Sequence, residues 1–124
     1  MAAELHVALV AADREVWSGQ ATLVVARTTS GDIGVMPGHQ PLLGVLESGP
    51  VTIRTSEGGT VIAAVHGGFI SFADNKLSLL AEIAELSDEI DVQRAERALE
   101  RAKSEDDASA GRRAEVRLQA ATAR

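Results

Sequence analysis

The sequence predicts an α+β chain, an N-terminal antiparallel β-sandwich followed by a C-terminal two-helix hairpin. Three observations lead there. Residues 1–84 hold ten of the eleven Gly, all three Pro and all three His, while residues 85–124 carry 18 charged side chains in 40 positions and no Pro. The first stretch breaks into short apolar runs at regular spacing with no helical pattern between them, as antiparallel sandwiches do. The second stretch is Ala-rich with a 3.6-residue apolar period. The expected domains are therefore 1–84, the sandwich, and 85–124, the helical arm.

Leu5, Val7 and Leu9 alternate with His6 and Ala8, the period of a half-buried strand. Val16–Ala21 and Thr22–Arg27 follow, with Gly19 read as a bulge or bend. Further strands are expected at Val51–Thr55, Val61–Val65, Phe69–Phe72 and Lys76–Ala81. Turn chemistry separates them at Ser48-Gly49-Pro50, Gly58-Gly59 and Asp74-Asn75. Glu57-Gly58-Gly59-Thr60 reads as a tight hairpin, since Gly tolerates positive φ. The dense turn chemistry of Thr28–Leu43 reads as a rigid corner, because Pro37 and Pro41 fix φ and Gly38 supplies a left-handed position. In the arm, Ala95, Ala98, Leu99 and Ala102 form one stripe, with Asp91 as its N-cap and Ser87 or Asp88 capping an earlier turn. Lys103–Ala110 is a polar break, and Ala114, Leu118 and Ala121 form the second stripe. An Ala stripe lets helices approach closely but buries little surface, so the arm is expected to be weakly held.

Composition narrows the function. The formal charge of −6 lacks the basic surface expected of a duplex nucleic-acid binder or an anionic-lipid arm. No cysteine is present, which excludes disulfides and thiolate catalysis. No run reaches the ~20 apolar residues of a membrane helix, and the N-terminus alternates where a signal peptide would be solidly apolar. The reading is a soluble, non-secreted protein. His6, His39 and His66 lie 33 and 27 residues apart, without the close His-x-His pair of a cupin-type metal site. Neither GxxxxGK[ST] nor GxGxxG is present, and no nucleophile elbow or usable triad stands out. No catalytic residue and no metal ligand is assigned.

Ser30-Gly31-Asp32-Ile33-Gly34-Val35-Met36-Pro37-Gly38-His39-Gln40-Pro41-Leu42-Leu43 resembles the GELGI-x-PGH-x-PL segment of the epsilon subunit of bacterial F-type ATP synthases. Val16-Trp17-Ser18-Gly19 and Gly67-Gly68-Phe69-Ile70 are similar to that family too, and the likeness spans essentially the whole chain. The resemblance implies a non-catalytic subunit of the rotating central stalk, which couples the gamma subunit to the c-ring during proton-driven ATP synthesis. It implies an arm that reaches the catalytic head of alpha and beta subunits to inhibit ATP hydrolysis. It places the chain peripherally, at the cytoplasmic face of the cell membrane. Carried over by motif, Gly31 and Asp32 face the c-ring loops, while Pro37, Gly38, His39, Pro41 and Leu42 lie on the gamma side.

In several bacterial members [IL]-D-x-x-R-A opens the first helix and binds ATP. This chain reads Ile90-Asp91-Val92-Gln93-Arg94-Ala95, a complete match, with Glu85 and Arg101 at further ligand positions. The resemblance thus implies no required cofactor but a regulatory ATP, with Arg112, Arg113 and Arg117 as additional cations for its phosphates. The same residues also read as a plain N-cap and solvated helix positions. The rival reading is a small-ligand or metal-binding β-sandwich built on the three histidines.

Overall fold

The computed structural model describes residues 3–122. Seven strands form the sandwich: β1 (Leu5–Ala11), β2 (Glu15–Thr28), β3 (Gly31–Val35), β4 (Leu42–Leu46), β5 (Gly49–Thr55), β6 (Thr60–Ala73) and β7 (Lys76–Leu86). A 3-10 turn at Ser87–Glu89 leads into α1 (Val92–Ser104) and α2 (Ala108–Thr122). β1 pairs with both β2 and β7, β6 with β7, β4 and β5, and β5 with β2. These pairings close a ring around the core, and β3 extends it from β2. All are antiparallel except β1–β7. That parallel pair joins the first strand to the last, so the rest of the sandwich serves as its long crossover.

The alternation read in β1 is realised: Leu5, Val7 and Leu9 point into a core completed by Val24, Val35, Ile53, Ile70, Phe72, Leu77 and Leu79. Four local expectations need correction. Gly19 is no bulge; it pairs regularly with Val7. A Cβ there would lie 2.9 Å from the Trp17 ring, which instead lies over the bare glycine. β2 is irregular instead at Val16 and between Ala21 and Leu23, and at the second place the inward set changes parity, from Ala21 to Val24. Thr28–Leu43 is not all corner, since it contains β3 and the start of β4. Gly49-Pro50 begins β5 rather than forming a turn. Finally, β7 runs to Leu86, so Glu85 belongs to the sheet and the strand crosses the expected boundary after residue 84.

The runs expected at Val61–Val65 and Phe69–Phe72 are one strand bent at Gly67-Gly68. Before the bend Val61, Ala63 and Val65 face the core; after it Ile70 and Phe72 do, one residue out of phase. Gly67 and Gly68 have φ +72° and +123°, and a Cβ on Gly68 would lie 2.0 Å from the Leu80 carbonyl oxygen. Only glycine permits this backbone. The hairpin turns are as read: Gly58 has φ +93°, and Asp74-Asn75 has φ +53° and +57°, the primed turn that suits a right-twisted hairpin.

α1 begins as expected, with the Asp91 carboxylate accepting from the Arg94 amide at 3.0 Å. The earlier turn is different. Neither Ser87 nor Asp88 caps it; the Glu89 carboxylate reaches back to accept from the Leu86 amide. The polar break is only residues 105–107, with Asp106 at φ +54°. The helices come close where Gly111 faces Ala102. α2, not α1, lies on the sandwich, against β6 and β5, while α1 packs on α2. Val116, Ala120 and Ala121 of α2 meet Ile62, Ala64 and Ile90 in a small separate cluster. The outer side of β6 there is thus as buried as its inner side, which hides the alternation from the sequence.

Candidate functional site

At the junction of sandwich and arm a cleft of about 380 Å³ is lined by Glu85, Ile90, Asp91, Arg94, Ala95 and Arg101. These are all six residues that the family resemblance nominates for ATP. Three parts of the chain deliver them: Glu85 near the end of β7, Ile90 and Asp91 between the 3-10 turn and α1, and Arg94, Ala95 and Arg101 on α1. α2 adds Arg117 to the lining. Asp91, Arg94, Ala95 and Arg101 share one face, with Ala98 between them, because they follow the i, i+3, i+4, i+7 rule of a helix.

Charge in the cleft is partly committed. Arg117 Nε donates to Glu85 Oε1 at 2.5 Å, a half-buried pair that ties α2 to β7. Arg14, from the β1–β2 turn, grips the Glu89 carboxylate with both terminal nitrogens at 3.1 and 2.9 Å. That guanidinium, and then the Leu86 amide, hold the Glu89 carboxyl below the usual carboxylate range. Arg94 and Arg101 remain for an incoming anion. Asp91 is the N-cap and a cleft wall at once, since one oxygen holds the Arg94 amide. The cleft volume falls in the range of small-molecule sites. Arg112 and Arg113 do not line it; they border a separate cleft. Of the second-helix cations expected to reach ATP phosphates, only Arg117 is in place.

The other nominated residues divide between the two ends of β3. Pro37, Gly38, His39 and Pro41 form the β3–β4 connection and Leu42 starts β4. The Gly38 amide donates to Asn75 Oδ1 at 2.8 Å, which pins this connection to the β6–β7 turn. His39 sets its ring edge-on to Phe72 at 6.0 Å and places Nδ1 2.7 Å from the Gln40 carbonyl oxygen. The segment is therefore rigid, as its prolines suggest. Gly31 and Asp32 open β3 at the opposite end, with Asp32 paired to Arg27 at 3.3 Å. At about 3.3 Å per residue, the strand separates the two groups by roughly 13 Å.

One feature escaped the sequence reading. Val45, Phe69 and Leu80 stand in register across β4, β6 and β7 and all face outward, with Leu43 (78% exposed) diagonal to Phe69 (55%). Such a contiguous apolar row is unusual on a free surface. A signal was present: Leu79-Leu80 and Phe69-Ile70 place apolar residues on both faces of strands that otherwise alternate. The three histidines, by contrast, stay apart on β1, the β3–β4 connection and β6. Among the described residues no three His, Asp or Glu side chains gather as metal ligands. No helix among them is long and apolar enough to cross a membrane.

Residues 4–87 match the family described as ATP synthase, Delta/Epsilon chain, beta-sandwich domain. The chain belongs to this family. It is 88% identical over 124 residues to the ATP synthase epsilon chain of Streptomyces coelicolor, covering 100% of both chains. The epsilon chain of Rhodococcus jostii is 51% identical over 119 residues, covering 95% of this chain and 96% of that one. Among solved structures, a chain of the Euglena gracilis mitochondrial ATP synthase (OSCP/F1/c-ring) superposes with a TM-score of 0.76 at 22% identity, over 97% of this chain and 78% of that one. A chain of the Tetrahymena thermophila central stalk/c-ring structure gives 0.58 at 17% identity, over 94% and 95%. At these identities the structural likeness speaks for the fold, while the sequence relatives place the chain among the ATP synthase epsilon chains.

Proposed function

We propose that the chain is a central-stalk subunit of an F-type ATP synthase that couples gamma to the c-ring and is not itself catalytic. The observation that carries this reading is the outward apolar row of Leu43, Val45, Phe69 and Leu80, which continues from the rigid Pro37–Leu42 connection. It suits a stalk partner that grips one face of a stiff sandwich, and gamma is assigned there. Gly31 and Asp32, at the other end of β3, are assigned to the polar loops of the c-ring. On this reading the protein works peripherally at the cytoplasmic face of the cell membrane and requires no cofactor.

The arm is assigned two tasks, binding a regulatory ATP and restraining hydrolysis by reaching the alpha and beta subunits. The cleft supports the first, because its walls come from β7, α1 and α2 and converge only when the arm is folded down. ATP would then hold the arm compact by about 2.7 kcal/mol at a hundredfold excess over its dissociation constant. Co-purification with gamma and the c-ring tests the rotor role: the wild-type chain is retained and Leu43→Glu is not. Loss of the wild-type chain as well would end this reading. Calorimetric titration tests the nucleotide site. Arg94→Ala is expected to weaken ATP binding about tenfold, the effect of losing one charge-assisted contact. A wild-type chain unresponsive to millimolar ATP would reduce the motif to a helix start.

A further inference from the structure

A second cleft of about 380 Å³ opens where the bend of β6 meets the start of α2. Its floor is His66, which directly precedes the bend and is 4% exposed. Neither ring nitrogen of His66 has a hydrogen-bond partner. A buried polar group left this way is costly and rare in native proteins. Arg112 and Arg113 of α2 and Glu82 of β7 line the cleft, and Ala108 and Ser109 bring in the N-terminus of α2. Among the described residues neither arginine forms an ion pair. The remaining charged groups near His66 are Arg117 and Glu85, which neutralise each other.

We propose that this cleft binds inorganic phosphate in its hydrogen phosphate form. The two guanidiniums are donors suited to phosphate oxygens. The helix start contributes partial positive charge. That contribution is reduced, because the Asp107 carboxylate already accepts from the Ala110 amide at 3.1 Å. The arginines therefore carry most of the attraction. Glu82 decides which oxyanion fits. A carboxylate only accepts, so it repels a fully deprotonated oxyanion but accepts from a P–OH. Hydrogen phosphate keeps such a proton at neutral pH. Sulfate has none, and a phosphomonoester, with its second pKa near 6, has mostly lost it at pH 7. Glu82 thus selects inorganic phosphate from its relatives.

The test is NMR of the full chain at pH 7 and constant ionic strength, following the His66 ring and the Arg112 and Arg113 side chains. Sodium phosphate is expected to shift these signals saturably, with sulfate and glycerol phosphate about tenfold weaker or worse, as expected for a misplaced charged contact. Arg113→Ala should weaken phosphate about tenfold by the same reasoning. Glu82→Gln, at an exposed position, should bring sulfate level with phosphate, because the amide donates and carries no charge. Shifts that never saturate, or that sodium chloride reproduces, overturn the proposal by reducing the effect to screening. Saturable shifts mapping to Arg94 and Arg101 instead, or indifferent to both substitutions, overturn it equally.

Discussion

Val116→Ala separates docking of the arm from formation of its helices. Val116 is 3% exposed and sits in the cluster joining α2 to Ile62 and Ala64 of β6 and to Ile90. The substitution removes two methyl groups from that contact, about 1.6 kcal/mol at ~0.8 kcal/mol per buried carbon. A partial cavity adds to this, for a total near 2 kcal/mol. Alanine is the better helix former, by roughly 0.5 kcal/mol, so the helix itself gains. The net loss of about 1.5 kcal/mol raises the population with the arm undocked and its helix unwound about tenfold. Hydrogen exchange read along the chain is the assay. Amides of α1 and α2 should exchange about tenfold faster, while those of β1, β6 and β7 keep their protection. If the sandwich amides accelerate equally, arm and sandwich open as one unit and the two-module reasoning fails. If nothing changes, the cluster does not hold the arm.

Four further outcomes follow from particular residues. Gly68→Ala should prevent the wild-type fold or lower the melting temperature sharply, because the new Cβ would meet the Leu80 carbonyl at 2.0 Å; calorimetry checks this. Asp91→Ala should destabilise α1 by about 1 kcal/mol while Asp91→Asn leaves it nearly unchanged, read by circular dichroism melting. If ATP binding falls in both variants, Asp91 contacts the nucleotide as well as capping. Burial, and then Arg117, push His66 down from 6.5 to about 4, so the unfolded chain takes up its proton first as pH falls. This group's stabilisation is therefore complete above pH 6.5 and lost between there and about 4; His66→Gln should flatten that part of the denaturation profile relative to wild type. Leu43→Glu, on a largely exposed side chain, should leave the melting temperature within a few degrees of wild type while abolishing gamma binding.

What the chain encodes locally was legible without coordinates. The alternation of Leu5, Val7 and Leu9, the Asp74-Asn75 turn, the Asp91 cap and the division into sheet and helix all depend on neighbours a few residues apart. The six residues that the family resemblance nominates do line one cleft, since Asp91, Arg94, Ala95 and Arg101 lie on or cap one helix and Glu85 and Ile90 closely precede it. What depended on distant contacts was not legible. Phe69 faces outward because the bend at Gly67-Gly68 switches the inward set of β6, and the close approach of Gly68 to the Leu80 carbonyl on β7 keeps that bend for glycine. Arg117 reaches Glu85 while Arg112 and Arg113 turn to another cleft, a choice made by how α2 rolls onto Ile62 and Ala64. His66 is hidden for the same reason. A single sequence specifies periods, caps and turns, because those are short-range; which face a strand or helix finally buries is settled by the surface that covers it.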